Sequence, residues 1–387
     1  MTALRHFIVV GESRALVAQA LLALHSFTPA RCIVVCGAGT GILRLSSLCA
    51  EHLDIDFYGP DDERFTAIVN RTAREHDGLM LVPADCQGIR LINRVRHRLR
   101  AAVSAAPDTR TLDRFDNKWH FHQFCLEHGL MVPDTRYFAS KQDIDFNATA
   151  KVLGAPFVVK PLCEAVSTGV HVVTDATTFA RKILGNPKYR HAPLIAQRFI
   201  AGQDVGLNLL ACDGHVQALA IQRREQSRVH FFPHDYLEHC AHVLAARARY
   251  TGIMNVDARI EDSTGQAYLF ESNPRIWRSH AAAVWCGMNF IGASLDQAMP
   301  VLTSSAHAID PPAAVRLVEG TADLYYHPSI RPSQWRRLLS DRGMQGRMSR
   351  IMLGDPYLFL SSLRPALTSV WQVVNWRLFR KRIARVY

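Results

Sequence analysis

The stretch Tyr268-Leu-Phe-Glu-Ser-Asn-Pro-Arg275 places a carboxylate, Glu271, two residues before a carboxamide, Asn273. Side chains two positions apart along a strand share one face of the sheet. Mg²⁺ prefers carboxylate and carbonyl oxygens and keeps coordination positions for substrate phosphates. Arg275 follows after the same step of two and adds a planar cation suited to an anion. The stretch therefore indicates metal and phosphate binding; the alternative is a strand that ends in an Asn-Pro turn.

Composition and charge describe a globular chain with a basic end. The 387 residues are 48% apolar and 20% charged, which suits a large core and two or three domains. Residues 331–387 hold twelve basic and two acidic residues, so this segment carries +10 of the total net charge of +11. A basic tail favours an anionic surface or solubility. No recognised nucleic-acid module accompanies it, so nucleic-acid binding is not expected.

The cysteines indicate a reducing compartment. There are nine, an odd number, and none forms a C-x-x-C pair. Several, such as Cys32 and Cys36, lie in apolar runs, which favours buried thiols over disulfides or a zinc site. Residues 7–10 are too short for a secretory signal, and no apolar run is long enough to span a membrane. We therefore expect a cytoplasmic protein.

The first hundred residues alternate short apolar runs with a helical pattern. This alternation predicts a parallel α/β layer. A glycine-rich stretch at 37–41 matches the dinucleotide-binding fingerprint only in part and favours a tight turn. The predicted strands are residues 7–10, 31–36 and 78–83, and the predicted helix is 14–24.

The later residues favour antiparallel hairpins. Asp213-Gly214 suits a type I′ turn between two strands. Strand signals also occur at 155–161 and 194–200, and a second hairpin is predicted around residues 262–265. We predict an α+β region after a boundary near residue 110. The predicted domains are 1–110, an N-terminal α/β domain; 111–300, a second domain; and 301–387, a basic C-terminal extension.

Five features in order resemble the ATP-grasp superfamily, which includes carbamoyl-phosphate synthetase large subunits, biotin carboxylases and D-alanine–D-alanine ligases. The resemblance covers about residues 110–295. It implies a parallel α/β domain followed by a two-lobed ATP-grasp domain with antiparallel sheets. The features are the helix start at Lys118, the strand ending in Lys160-Pro161, residues 197–204, Asp257, and Glu271-x-Asn273-Pro-Arg275.

The resemblance implies a role for each site residue. Lys118 and Lys160 would bind the ATP phosphates, and Arg275 would be catalytic by stabilising the transferred phosphate. Asp204 would hold the ribose, where the family more often has Glu. The adenine edge would pair with the backbone of Gln197, Arg198, Phe199 and Ile200, and one or two Mg²⁺ ions, or Mn²⁺, would be held by Asp257, Glu271 and Asn273.

Simpler interpretations of these residues stay open at this point. A lone charge at the end of the apolar Lys160 strand would be costly without an anionic partner, but a surface lysine can also extend its charge into water. Lys118 can be a solvated helix-start residue, and Asp204 a solvated loop residue. Where the family carries a glycine-rich phosphate-covering loop, residues 162–169 retain only Gly169, with Ser167 and Thr168 as phosphate donors. The acceptor pocket would include His280, unless it is a hydrogen-bonded structural histidine.

The implied function is that of an ATP-dependent ligase. It would activate a carboxylate as an acyl phosphate and join it to an amine, and its partners would be these small molecules. This chemistry needs no protein nucleophile. The alternatives are carboxyphosphate chemistry of the carbamoyl-phosphate type and a non-catalytic ATP-binding sensor. A homo-oligomer is also compatible with the sequence.

The tail allows two interpretations. Residues 357–380 interleave apolar and aromatic side chains, and Arg380-Lys-Arg382 follows. Such a segment can form an interfacial helix that makes peripheral contact with an anionic membrane. The favoured interpretation is a helix that packs on the body of the protein or on another subunit.

Overall fold

A computed structural model describes residues 6–29, 31–164, 168–225, 228–298, 316–322, 336 and 339–359. The strands are β1 Phe7–Gly11, β2 Cys32–Cys36, β3 Cys49–Asp54, β4 Met80–Pro83, β5 Ala102–Val103, β6 Thr135–Phe138, β7 Phe157–Pro161, β8 His171–Val173, β9 Leu194–Arg198, β10 Gly202–Cys212, β11 His215–Glu225, β12 Arg228–Phe231, β13 Gly252–Glu261, β14 Ala267–Asn273, β15 Arg316–Leu317 and β16 Gly320–Ala322. The helices are α1 Arg14–His25, α2 Asp62–Glu75, α3 Cys86–Val95, α4 Thr109–Asp116, α5 Lys118–Glu127, α6 Phe146–Leu153, α7 Ala176–Phe179, α8 Asp235–Ala248, α9 His280–Trp285, α10 Phe290–Ala298 and α11 Met344–Gly354.

The first five strands form a parallel sheet, here called the N-terminal sheet, in the order β3-β2-β1-β4-β5. All five residues of β1 are buried, as expected for a strand covered on both faces. This confirms the predicted α/β layer. The glycine-rich stretch after β2 runs into a 3₁₀ helix, Ala38–Leu45. The sequence did not predict β3, whose polar residues are partly exposed and lack an apolar run.

The large sheet is mostly antiparallel and has the strand order β14-β13-β10-β11-β12-β16, with β15 parallel to β11. The hairpin between β10 and β11 turns at Asp213 and Gly214, which have φ of 44° and 84°. Positive φ at both positions is what a type I′ turn requires, so this hairpin is as predicted. Residues 316–322 add β15 and β16, so the sheet extends past residue 300, where the sequence placed the end of the second domain.

The small sheet is antiparallel, in the order β6-β9-β7-β8. It has an apolar core of its own, which includes Phe157, Phe179 and Leu194. The small and large sheets are the two lobes expected from the sequence. Strand β7 of the small sheet and strands β13 and β14 of the large sheet carry the residues of the candidate site.

One apolar core joins the N-terminal sheet to the large sheet; we call it the shared core. It includes Val9 and Leu21 of the first hundred residues, Leu210 of β10, Trp277, and Met348 of α11. At the boundary predicted near residue 110, a parallel sheet gives way to antiparallel sheets, but the apolar core continues across it.

The segment after α11 is fixed to the body of the protein. Asp355 is fully buried and accepts hydrogen bonds from Ser46 Oγ at 2.6 Å and Ser47 Oγ at 3.1 Å. Tyr357 and Leu358 are also buried. Most of the tail segment 357–380 lies outside the described residues, as does the basic cluster that follows it. None of the described helices is long and apolar enough to cross a membrane.

The nine cysteines are all free thiols, as the sequence predicted. Cys163 is exposed, and Cys212 and Cys286 are partly buried. The six buried cysteines are Cys32, Cys36, Cys49, Cys86, Cys125 and Cys240.

Candidate functional site

A pair of carboxylates lies at the centre of the site. The register of β13 and β14 places Asp257 directly opposite Glu271. Burial, together with the neighbouring Glu271 carboxylate, raises the pKa of Asp257 to about 7. Burial opposes ionisation of Glu271 as well, but the ammonium groups of Lys160 and Lys118 outweigh it and hold the pKa of Glu271 below its usual value. Two adjacent acids in a shielded place favour a bound cation.

The oxygen donors present fit Mg²⁺. Asn273 lies opposite Asn255, and each of these residues is two positions along its strand from one of the two acids. The side-chain nitrogen of Asn273 lies 3.4 Å from Asp257 Oδ2. Within the described residues, no group of three or more His, Cys, Asp or Glu side chains is placed to hold a metal ion. Two carboxylates and one amide are nevertheless sufficient for Mg²⁺, which keeps several waters and binds substrate phosphates directly.

Two buried lysines face the acids. Lys118 and Lys160 are each only 6% exposed, so neither is a solvated surface residue. Lys118 Nζ lies 3.2 Å from Glu271 Oε2 and donates a hydrogen bond to the Glu164 carbonyl at 2.8 Å. Burial lowers the pKa of Lys160 to about 8, although Glu271 acts in the opposite direction. The lysines supply positive charge next to the carboxylates, as phosphate binding requires.

Local structure brings the two lysines together. Asn117 caps α5 by accepting hydrogen bonds from the backbone of Trp119 and His120, which fixes Lys118 as the first helical residue. The Lys118 N–H donates to the Leu162 carbonyl at 3.0 Å, just after β7 ends. The helix start is thereby joined to the strand that carries Lys160.

Residues 197–200 form the connection between the two lobes. Some of their polar groups are already hydrogen-bonded within the protein. Gln197 is buried, and its Nε2 donates to Thr135 Oγ1 at 2.9 Å. The backbone N–H of Arg198 donates to the Asp134 carbonyl, and the Ile200 carbonyl accepts from Arg259. Of these backbone groups, the Arg198 N–H is already paired, whereas the Ile200 carbonyl can accept a second hydrogen bond from an adenine edge.

Arg259 is a site residue that the sequence analysis did not identify. Its Nε donates to Asp204 Oδ1 at 2.7 Å, and its guanidinium lies 5.7 Å from the ring centroids of Phe199 and Phe270. Asp204 lies on β10, not in a loop, and its side chain is 76% exposed. A ribose hydroxyl would compete with Arg259 for this carboxylate. The signal that could have found Arg259 is its step of two from Asp257 on the same strand.

The loop after β7 is described only in part. Ser167 lies outside the described residues, and Thr168 is exposed. Gly169 has φ of 71°, and a side-chain carbon there would lie 2.7 Å from the His191 ring. The positive φ favours glycine at this position, and a larger residue would also have to displace the His191 ring.

His280 does not line an open pocket. It is fully buried against Trp277 and Phe290, with ring centroids 4.7 and 6.0 Å away. Neither of its ring nitrogens has a hydrogen-bond partner among the described residues, which is also unlike an ordinary structural histidine. Burial lowers the pKa of His280 to about 3, so the ring is neutral.

Comparisons with known proteins found similar sequences over parts of the chain. A family model described as "ATP-grasp in the biosynthetic pathway with Ter operon" matches residues 190–321. The D-alanine–D-alanine ligase of Laribacter hongkongensis is 37% identical over 95 residues, which are 24% of this chain and 30% of that protein. The match therefore spans less than a third of this curated relative.

Solved structures show the same fold over most of the chain. An L-amino acid ligase from Bacillus licheniformis aligns with a TM-score of 0.55 and 16% identity over 77% of this chain and 75% of its own. The biotin carboxylase domain of the Hydrogenobacter thermophilus 2-oxoglutarate carboxylase, in complex with MgADP, ADP and bicarbonate, aligns with a TM-score of 0.58 and 12% identity over 83% and 74%. The chain has the fold of these ATP-dependent enzymes over most of its length, and residues 190–321 match an ATP-grasp family model.

Proposed function

We propose that this protein is an ATP-dependent ligase that activates a carboxylate as an acyl phosphate and joins it to an amine. The observation that carries the proposal is the pair Asp257 and Glu271 facing Lys118 and Lys160 at the junction of the two lobes. Phosphoryl transfer depends mainly on positioning and charge stabilisation, and this arrangement supplies both signs of charge in a shielded place. The names of the similar ligases support the same class.

Each residue has a defined part in the proposal. Asp257, Glu271 and Asn273 would hold Mg²⁺, which would supply positive charge to neutralise the phosphates. Lys118 and Lys160 would bind the phosphates, with Ser167 and Thr168 covering them. Arg275 would stabilise the charge on the transferred phosphate. The nucleoside would be held by Gln197, Arg198, Phe199, Ile200 and Asp204, the last after exchange with Arg259.

The proposed reaction has two steps. An oxygen of the substrate carboxylate attacks the γ-phosphorus, the bond to the β–γ bridging oxygen breaks, and ADP leaves. The amine nitrogen then attacks the acyl carbon, phosphate leaves with the C–O bonding electrons, and the amine gives up a proton. No side chain of the protein forms a covalent bond in either step.

Two other functions make different predictions. Carboxyphosphate chemistry is favoured by the fold shared with a biotin carboxylase domain solved with bicarbonate, and it predicts bicarbonate-dependent ADP release without an amino acid. A non-catalytic sensor predicts nucleotide binding with no ADP release under any condition. The proposed ligase requires both an acid and an amine.

The test is the Glu271→Gln variant, assayed for ADP release with Mg-ATP and a panel of amino acids. We expect a loss of at least about 10²-fold, because the carboxylate that faces both lysines is gone. Glu225→Gln, at an exposed glutamate of β11, is the control and should keep wild-type turnover. Substantial ADP release by a folded Glu271→Gln protein would contradict the assignment.

The predicted partners and location stay predictions. Cytoplasmic location and homo-oligomer formation are compatible with the described residues, and the peripheral membrane contact proposed for the tail concerns residues mostly beyond Phe359. We propose no nucleic-acid partner.

A further inference from the structure

Arg259 and Asp204 face each other across two strands of the large sheet. The register pairs Asp204 of β10 with Arg259 of β13, so their side chains extend from the same face of the sheet. Asp257 lies two positions before Arg259 on β13 and therefore shares that face. The pair thus lies on the face that carries the candidate phosphate site, at the position that the proposed function gives to the ribose.

The guanidinium of Arg259 is held in place by contacts on several sides. Nη1 donates a hydrogen bond to the Ile200 carbonyl at 2.9 Å, and Cζ lies 5.7 Å from the ring centroids of both Phe199 and Phe270. Nε donates to Asp204 Oδ1 at 2.7 Å, and Nη2 lies 2.5 Å from the same oxygen. A guanidinium that is already fixed loses little freedom in one more contact, so this pair should be stronger than one between two mobile surface side chains.

Arg259 occupies only one of the two carboxylate oxygens of Asp204. Both contacts are made to Oδ1, and the Asp204 side chain is 76% exposed, whereas that of Arg259 is 22% exposed. The second oxygen, Oδ2, is therefore open to a ligand. A carboxylate without such a partner can accept hydrogen bonds from two neighbouring hydroxyls, one on each oxygen. With Arg259 in place, one hydroxyl can bind without moving the guanidinium, and a second must displace it.

This asymmetry determines how much the second hydroxyl of a ribose contributes to binding. A hydroxyl that binds Oδ1 gains a hydrogen bond to a charged group, but the protein loses the contact between Arg259 and the same oxygen. The two changes are of similar size and opposite sign, because both are hydrogen bonds to a carboxylate. The second hydroxyl should therefore add little affinity while Arg259 is present.

We propose that Arg259 is a specificity-determining residue that makes the nucleotide site nearly indifferent to whether the sugar is ribose or deoxyribose. The inference rests on the proposed function, since it assumes that Asp204 binds the sugar of ATP. It adds a property that a carboxylate with both oxygens free would not have. The site accepts adenine ribonucleotides and deoxyribonucleotides alike.

The test compares the binding of ATP, 2′-deoxy-ATP and 3′-deoxy-ATP, since each deoxynucleotide lacks one hydroxyl. Binding to the full-length protein is measured by calorimetry with EDTA, so that no nucleotide is consumed. Arg259→Met removes the guanidinium and keeps a long side chain. The matched control is Arg249→Met, because Arg249 contacts Asp213 in the same way, through Nε at 3.2 Å and Nη2 at 2.9 Å to Oδ1, beyond the other end of β10.

We expect the wild-type protein to bind both deoxynucleotides within about 3-fold of ATP. Arg259→Met should bind ATP more tightly than the wild type does, and should prefer it over each deoxynucleotide by at least about 10-fold, because each hydroxyl then reaches a free carboxylate oxygen. Adding Asp204→Ala to Arg259→Met should abolish this preference. Arg249→Met should behave as the wild type.

A wild-type preference of about 10-fold or more for ATP over either deoxynucleotide would overturn the inference, even if the Arg259 variant did not fold. An unchanged preference in folded Arg259→Met, or the same change in Arg249→Met, would also overturn it. ATP still binds in each of these cases, so the proposed function would stand. Absence of ATP binding by the wild-type protein, with or without Mg²⁺, would overturn both.

Discussion

Asp257 shows at the level of one residue how the site is prepared for a cation. Burial and the adjacent Glu271 carboxylate raise its pKa to about 7, whereas an exposed aspartate titrates near 3.8. Between about pH 4 and pH 7 the folded protein therefore binds more protons than the unfolded chain. Stability present below about pH 4 is lost as the pH rises through 7. A divalent cation would replace the proton and remove this penalty.

We expect Asp257→Asn to be more stable than the wild-type protein at pH 8 without metal, because the variant has no buried acid to ionise. The difference in Tm should be at least about 3 °C at pH 8 and should shrink toward pH 4.5. Scanning fluorimetry across this pH range measures it. Asp213→Asn, at an exposed turn, is the control and should show no such trend. A Tm difference that does not change with pH would contradict the account of Asp257.

Helix α5 shows how a single element positions a charge. Its cap, Asn117, accepts two backbone hydrogen bonds and sets the start of the helix at Lys118. Lys118 then reaches both Glu271 and the Glu164 carbonyl. Loss of the cap would release the first helical turn, which carries the phosphate-binding lysine of the proposed site.

We expect Asn117→Ala to cost about 1 kcal/mol of stability and also to weaken ATP binding. Asp145→Ala is the matched control, because Asp145 caps α6 in the same way, by accepting from the Ala148 N–H at 2.7 Å. It should cost a similar amount and leave ATP affinity unchanged. Urea unfolding and calorimetry with Mg-ATP measure the two quantities. Equal effects on ATP affinity would show that the α5 cap has no particular role in the site.

The elements also explain what the sequence could and could not predict. The hairpin at Asp213-Gly214 was predictable because turn chemistry and alternation act locally. Strand β3 was not, since its exposed polar residues carry no apolar pattern. The sequence predicted that Asp257 and Glu271 lie across one hairpin, but their direct pairing also depends on a register shift at Phe270 that the sequence did not predict. The hydrogen bond from Asn255 Nδ2 to Asn208 Oδ1 was not predictable, because the two residues are 47 positions apart and meet only through the register of β10 and β13.

At the scale of the whole molecule, one apolar core crosses the boundary between the parallel N-terminal sheet and the large, mostly antiparallel sheet. The shared core combines α1 and β1 of the first hundred residues with strands of the large sheet and with α9, α10 and α11. The Gln19 side chain of α1 also accepts a hydrogen bond from the Ala281 N–H at 2.9 Å. The small sheet, in contrast, has a core of its own. The molecule should therefore open in two cooperative units that differ from the domains suggested by composition.

We expect Leu21→Ala, in the shared core, to increase amide hydrogen exchange in β1 and in β10, α9 and α11 together. Leu153→Ala, in the small-sheet core, should increase exchange only in β6 to β9 and the helices packed on them. Both leucines are at most 3% exposed and lie on helices, so each substitution should cost about 2–5 kcal/mol and the two variants are matched. Exchange measured by mass spectrometry distinguishes the units. If Leu21→Ala affected only residues 6–107, the N-terminal sheet would be an independent unit, and the shared core would be a contact surface between separately folding domains.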